Sequence, residues 1–185
     1  QKCRAFCSKK EEKKEKAKGN IIMNNVTLLG MPGAGKSTIG VLLAKALGYD
    51  FLDTDLLIQN EEGMLLREKK KKKGLDQFKK IEERVNASVQ VDKTVIAPGG
   101  SVIYGAKAME HLASISKVVY LKLSYQELEK RLGDLTKRGV VFEKGQTLRD
   151  LYHERTPLYE KYAHVSINVD GLGIGEVLED IKSVK

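Results

Sequence analysis

Thr27-Leu28-Leu29-Gly30-Met31-Pro32-Gly33-Ala34-Gly35-Lys36-Ser37-Thr38-Ile39 joins a β-rich run to a helical one through a glycine-rich turn. Gly30 to Ser37 matches G-x-x-x-x-G-K-[ST] at every fixed position. It lies after a short β-rich run and before Ile39, Leu42, Leu43, Ala46 and Leu47, which recur at helical spacing until Gly48. A strand, a glycine-rich turn and a helix in that order make a cradle for phosphate. The glycines let backbone N–H groups curl around the anion, the helix start adds partial positive charge, Lys36 can reach the β/γ oxygens, and Ser37 offers a hydroxyl to Mg²⁺. Gly33, Ala34, Gly35, Lys36, Ser37 and Thr38 are therefore the expected nucleotide-binding residues. A chance glycine turn before a helix is the competing reading, and the strand and helix on either side speak against it.

Working outward, short β-rich runs alternate with helical periods, the signature of parallel βαβ units. Phe51-Leu52 reads as a short strand ending at Asp53, adjacent to the phosphate loop. A helical region from Leu56 to about Val89 carries Phe78, Ile81 and Val85 on one face. Thr94 to Ala97 is a third strand, closed by Pro98-Gly99-Gly100. A helix near Ala106 to Leu112 leads to a fourth strand, Lys117 to Leu123, and Ser124 is placed to cap the helix through Leu128 and Leu132. Residues 133–146 are rich in glycine and charge without a period and read as a mobile loop. A helix from about Thr147 to Tyr162, a strand from Val165 to Val169 and a helix from Ile174 to Ile181 complete the chain. The expectation is an α/β fold, a three-layer α/β/α sandwich on a five-stranded parallel sheet.

The chain has 185 residues, 41% of them hydrophobic, and a net charge of +8. That length suits one domain, and no apolar run approaches the roughly 20 residues that span a bilayer. The charge is local: residues 1–20 carry +5, Arg67 to Lys73 another +5, and the remainder −2. Residues 1–22 therefore read as a basic low-complexity extension, a tag or tail, and residues 23–185 as a single domain. The lysine run 69–73 reads as a solvated face. Nucleic acid binding through these patches is not expected, and neither is a membrane partner; a monomer is. Cys3 and Cys7 lie in the extension, so no disulfide framework supports the fold, and with no secretory signal at the start a reducing, cytoplasmic location is expected.

The phosphate loop implies a nucleoside triphosphate without naming a reaction. A guanine-reading N-K-x-D segment is missing, and Met23 to Lys185 is too short for a motor or AAA-type module. A compact phosphoryl transferase with a small acceptor beside the loop remains. Asp53-Thr54-Asp55, at a strand's C-terminal end, is where open α/β sheets bind ligands. Asp53 suits Mg²⁺ together with Ser37, and Asp55 suits the proton of an acceptor hydroxyl. Either could instead simply cap the next helix.

Gly30 to Ser37, Asp53-Thr54-Asp55, Gly99-Gly100 and Arg155-Thr156-Pro157-Leu158-Tyr159 stand in an order and at spacings that resemble shikimate kinase, from Val26 to Ile181. The resemblance implies a P-loop NTPase of the nucleoside monophosphate kinase-like group, in which ATP, with Mg²⁺, phosphorylates the 3-hydroxyl of shikimate in aromatic amino acid biosynthesis. It further implies that Lys36, Asp55 and Arg138 are catalytic, with Asp55 the base and Arg138 on a lid over 133–146. Arg131 would stack on adenine. Asp55, Lys79, Gly99, Gly100 and Arg155 would hold the acceptor, in a helical part spanning about 54–90, with Arg155 on its carboxylate. An Arg fork does match a carboxylate bidentately, although a surface ion pair with Glu154 or Glu160 would also account for Arg155. Three positions depart from the family pattern. Phe78-Lys79 stands where the family usually has Phe-Arg, with the bracing Glu82 retained; Ser101 replaces the third glycine of G-G-G; and Arg138-Gly139 stands for Arg-Pro. The first two keep open a same-fold kinase for another hydroxy acid or polyol such as gluconate, and a catalytically weak nucleotide-binding homologue.

Overall fold

The computed structural model describes residues 24–66, 68, 74–132 and 145–185. The expected extension at 1–22, the lysine run 69–73, and residues 133–144 of the expected lid, with Arg138 and Gly139, lie outside the described residues.

Strands β1 (Asn25–Leu29), β2 (Asp50–Asp53), β3 (Thr94–Ala97), β4 (Ser116–Lys122) and β5 (Val165–Asn168) form one sheet in the order β2-β3-β1-β4-β5. Every pairing is parallel. Helices α1 (Lys36–Leu47), α2 (Thr54–Glu62), α3 (Leu75–Ala87), α4 (Ala106–Ile115), α5 (Tyr125–Leu132), α6 (Leu148–Tyr162) and α7 (Ile174–Val184) run between and after the strands. A 3₁₀ turn, Val102–Tyr104, precedes α4. β1 and β3 are buried at every position, as parallel strands covered on both faces must be. Their polar members are paired. Asn25 donates to Val91 O and Ile115 O at 2.9 and 3.0 Å and accepts from Thr94 N at 2.9 Å, tying the starts of three strands together.

The Asp53 strand comes close to the phosphate loop without pairing with the strand that feeds it; β3 lies between the two. The reason is burial. β3 offers Thr-Val-Ile-Ala, buried throughout, and takes an interior slot, whereas β2 begins at exposed Asp50 and tolerates the edge. Helix α1 spans the gap by packing over both β3 and β2. Gly40, at its centre, lets the Phe51 ring close on the helix, since a Cβ there would lie 2.5 Å from Phe51 Cε2.

The connection from β1 to β2 runs one way across the sheet and the connection from β3 to β4 runs the other. Right-handed crossovers then put α1 on one face and α4 on the opposite one. The packing agrees: α1 touches α7, while α4 touches α3. Adjacent strands whose connections leave in opposite directions open a crevice at their carboxyl ends. Here those ends carry Gly30–Gly35 and Pro98–Ser101.

Candidate active site

The phosphate loop is built by backbone geometry. Gly33 and Gly35 have φ of 86° and 95°, and Gly35 is the N-cap of α1 without a side-chain cap hydrogen bond. Ala34 N bonds back to Met31 O at 3.1 Å and closes the turn. Lys36 folds over the loop and donates to Gly30 O at 2.8 Å and Met31 O at 3.2 Å. Burial lowers its pKa to about 8; Asp55 pulls it upward, Arg155 lowers it further, and Asp53 and Glu82 raise it. Lys36 thus shares one field with all four charges. Ala34 is buried at the base of the loop, and Ser37 and Thr38 stand exposed in the first turn of α1.

Asp53 and Ser37 meet across the crevice because α1 lies over β2. Ser37 Oγ donates to Asp53 Oδ2 at 3.2 Å, while Asp53 Oδ1 accepts from Asp55 N at 3.0 Å and Leu56 N at 3.4 Å. Asp53 therefore caps α2 and faces the phosphate loop with its other oxygen. A hydroxyl and a carboxylate side by side are the hard oxygen donors that suit Mg²⁺. No cluster of three or more His, Cys, Asp or Glu able to hold a metal occurs among the described residues, so phosphate oxygens and water would have to complete its shell.

Asp55 stands where α2 begins, against Gly99. A Cβ on Gly99 would lie 2.7 Å from Asp55 Oδ1 and would also strike Glu82 Oε1. Glycine at this position lets two carboxylates approach the main chain together. Glu82 is 1% exposed and accepts from Ser101 Oγ at 2.5 Å. Ser101 thus serves as a brace for Glu82. Gly100 has the other partners: a Cβ on it would meet Arg155 Nη1, Pro32 Cδ and the Tyr159 hydroxyl, each at 3.2 Å. Tyr159 donates to Gly100 O at 2.6 Å from a buried ring stacked on Tyr120, with centroids 5.1 Å apart.

Arg155 is 8% exposed on α6. It makes neither surface pair considered from sequence: Glu160 holds Lys122 at 2.7 Å, and Glu154 takes the Tyr104 hydroxyl at 2.5 Å. Arg155 Nε donates to Tyr104 Oη at 3.2 Å. Burial works against its charge, yet the Tyr159 and Tyr104 oxygens hold its pKa above the ordinary arginine value. Lys79 Nζ lies over the same Tyr104 ring, 4.7 Å from its centroid.

Arg131, in the last turn of α5, is set apart from these residues. It pairs with Glu127 at 2.9 Å and points toward Val169 O at 3.5 Å. Its neighbour Leu132 packs on the phosphate loop, where a Cβ on Gly33 would lie 2.8 Å from Leu132 Cδ2. Lys36, Ser37, Asp53, Asp55, Gly99, Gly100, Arg155 and Lys79 thus converge on one crevice, with Arg131 at its β4–β5 side. Sequence reasoning missed Tyr104 and the brace formed by Tyr159. The one signal for Tyr104 was its place four residues after Gly100; for Tyr159 it was membership of the Arg155–Tyr159 motif.

The protein-family model described as shikimate kinase matches residues 32–184. Shikimate kinase of Thermodesulfovibrio yellowstonii is 36% identical over 162 residues, covering 86% of this chain and 93% of that one. The structure of shikimate kinase from Acinetobacter baumannii in complex with shikimate has a TM-score of 0.79 at 31% identity, covering 88% and 93% of the two chains. Shikimate kinase from Aquifex aeolicus gives a TM-score of 0.71 at 25% identity over 86% and 94%. With the family model matching residues 32–184 and a 36% identical relative covering 86% of its length, the chain belongs to the shikimate kinase family.

Proposed function

We infer that this chain is an ATP-dependent kinase that transfers the γ-phosphoryl group to a hydroxyl of shikimate. The observation that carries this reading is the union of a buried guanidinium and a carboxylate on the Gly99-Gly100 backbone, beside the Lys36 loop. Arg155 meets the acceptor's carboxylate, with Lys79 as a second cation. That salt contact turns the ring so that one hydroxyl faces Asp55. Asp55 accepts the hydroxyl proton as the oxygen attacks the γ-phosphorus, and the bond to ADP breaks in line. Lys36, released from the Gly30 and Met31 carbonyls, follows the charge onto the β/γ oxygens. Its pKa of about 8 in the free site rises once those anions surround it. Ser37 and Asp53 are the groups that would hold Mg²⁺, which supplies charge neutralisation on the phosphates when bound. Gly33 to Thr38 hold the nucleotide and Arg131 lies against its base. Arg138 is assigned to a lid over 133–146 and residues 54–90 to the acceptor-binding part. A monomer working in the cytoplasm completes the proposal.

A coupled ADP-release assay with shikimate, gluconate and a panel of related polyols tests it. Shikimate is expected to support turnover and the others far less. Turnover with another acceptor and none with shikimate would refute the reading.

A further inference from the structure

Tyr104 joins groups that the phosphoryl-transfer steps above do not explain. Its ring lies beneath two cations, with Lys79 Nζ at 4.7 Å and Arg155 Cζ at 5.3 Å from the centroid. Its hydroxyl has a single proton, which goes to Glu154 Oε1 at 2.5 Å, and a lone pair accepts Arg155 Nε–H at 3.2 Å. Gln146 Nε2 holds the other Glu154 oxygen at 2.8 Å. The chain Gln146–Glu154–Tyr104–Arg155 runs from one end of α6 to the acceptor crevice.

We propose that Tyr104 is the positioning residue of the acceptor's anion grip, setting the plane of Arg155 and the place of Lys79 so that both meet one carboxylate. The proposal rests on the functional reading above, in which the acceptor is carboxylated. The geometry supports it in three ways. With Nε taken by Tyr104, the Nη end faces Gly100, with Nη1 and the Tyr159 hydroxyl both against that glycine. A guanidinium anchored through Nε and lying over a ring is oriented before the ligand arrives. Lys79, by contrast, is a point charge on a flexible stem and has no direction of its own. The electron-rich face of Tyr104 contributes one, with Nζ at 4.7 Å and so within the roughly 6 Å over which a cation feels the ring.

The phenol also solves a competition problem. A glutamate closing directly on Arg155 would occupy the fork that the acceptor needs. Glu154 reaches the guanidinium through the hydroxyl instead, so it orients the cation without sealing the fork edge. Two like charges thus stand over one ring.

Steady-state kinetics of Tyr104→Phe and Tyr104→Leu, with shikimate and with its neutral methyl ester as acceptors, test the proposal. Phe keeps the ring and removes the relay; Leu removes both. The expected result is a KM for shikimate raised about fivefold by Phe and twentyfold or more by Leu, with kcat falling no more than about twofold and KM for ATP unchanged. KM for the ester should move less than about twofold in either variant, since it lacks the charge that the two cations read. Equal rises for shikimate and the ester, or no rise for either, would overturn the proposal and leave Tyr104 as packing. Phe as damaging as Leu would assign the effect to the hydroxyl alone and overturn the role of the ring toward Lys79. Wild-type protein without shikimate turnover would bring down the functional reading first, and this proposal with it.

Discussion

Replacing Gly99 with alanine asks whether the close approach of two carboxylates to the main chain serves the reaction. The new methyl would stand 2.7 Å from Asp55 Oδ1, where ordinary contact begins at 3.4 Å. Glu82 Oε1 would lie nearer still, at 2.4 Å, and Glu82 is 1% exposed with its other oxygen held by Ser101, so the Gly99 main chain is itself pushed away. Asp55, half-buried at the start of a helix, and that main chain must then part by at least about 0.7 Å. If a misplacement of about 1 Å costs on the order of a hundredfold, this shift costs roughly 20–30-fold in kcat/KM for the acceptor, or about 2 kcal/mol. The phosphate loop is untouched, so ATP affinity by calorimetry should stay within about twofold. Gly175→Ala is the matched control. That glycine is exposed in α7, and a Cβ there would have nothing within 4 Å, so alanine should stabilise the fold by about 0.5–1 kcal/mol and leave turnover alone. A Gly99→Ala enzyme within twofold of wild type, in a protein whose control behaves, would refute the placement of Asp55 beside the acceptor.

Other perturbations separate the remaining roles. Lys36 is lowered to about 8 when the site is free, so ATP affinity measured by calorimetry should weaken as pH rises through 8. Because the folded value lies below the unfolded one, the destabilising effect of this buried charge is present below pH 8 and relieved between pH 8 and 10.5. Lys36→Met should remove both pH effects and abolish transfer. Asp53→Asn keeps a good N-cap, so stability should change by less than about 0.5 kcal/mol; if the Mg²⁺ concentration needed for half-maximal rate also stayed put, Asp53 would have only the capping role. Arg155→Lys retains charge and loses the fork, and should raise KM for shikimate about tenfold or more with little change in KM for ATP. Equal KM values would end the carboxylate assignment. Tyr159→Phe leaves Gly100 O without its 2.6 Å donor and should cost about 1–3 kcal/mol in urea unfolding.

The sheet, the phosphate loop and nearly every helix were legible in the sequence because they rest on local signals. Gly30 to Ser37 is a motif whose backbone conformation its own glycines enforce. Buried parallel strands announce themselves as apolar runs, and Gly48 ends α1 by adopting the left-handed conformation at φ 66°. Asp53 and Asp55 were legible as site candidates from their place after a strand. The order of strands was not. Neighbourhood in the sheet depends on which strand buries more surface on both faces, a comparison between Thr94–Ala97 and Asp50–Asp53 that no local pattern contains. Arg155 shows the same limit. Its helix offered Glu154 and Glu160 as partners at ordinary spacing, and both were taken elsewhere, by Tyr104 and Lys122.

By itself, then, the sequence determined that this chain binds a nucleoside triphosphate on a parallel α/β sheet and belongs with kinases of small carboxylated acceptors. Tertiary structure alone decided how charges distant in sequence share one field: Lys36, Asp55, Glu82 and Arg155 act on one another because opposite crossovers open a crevice between β1 and β3. It alone showed Tyr104 beneath Lys79 and Arg155, and Ser101 turned to Glu82. The reason is physical. Backbone conformation is set by a residue and its near neighbours, whereas the strength and direction of a charge are set by whatever packing brings within a few ångströms of it.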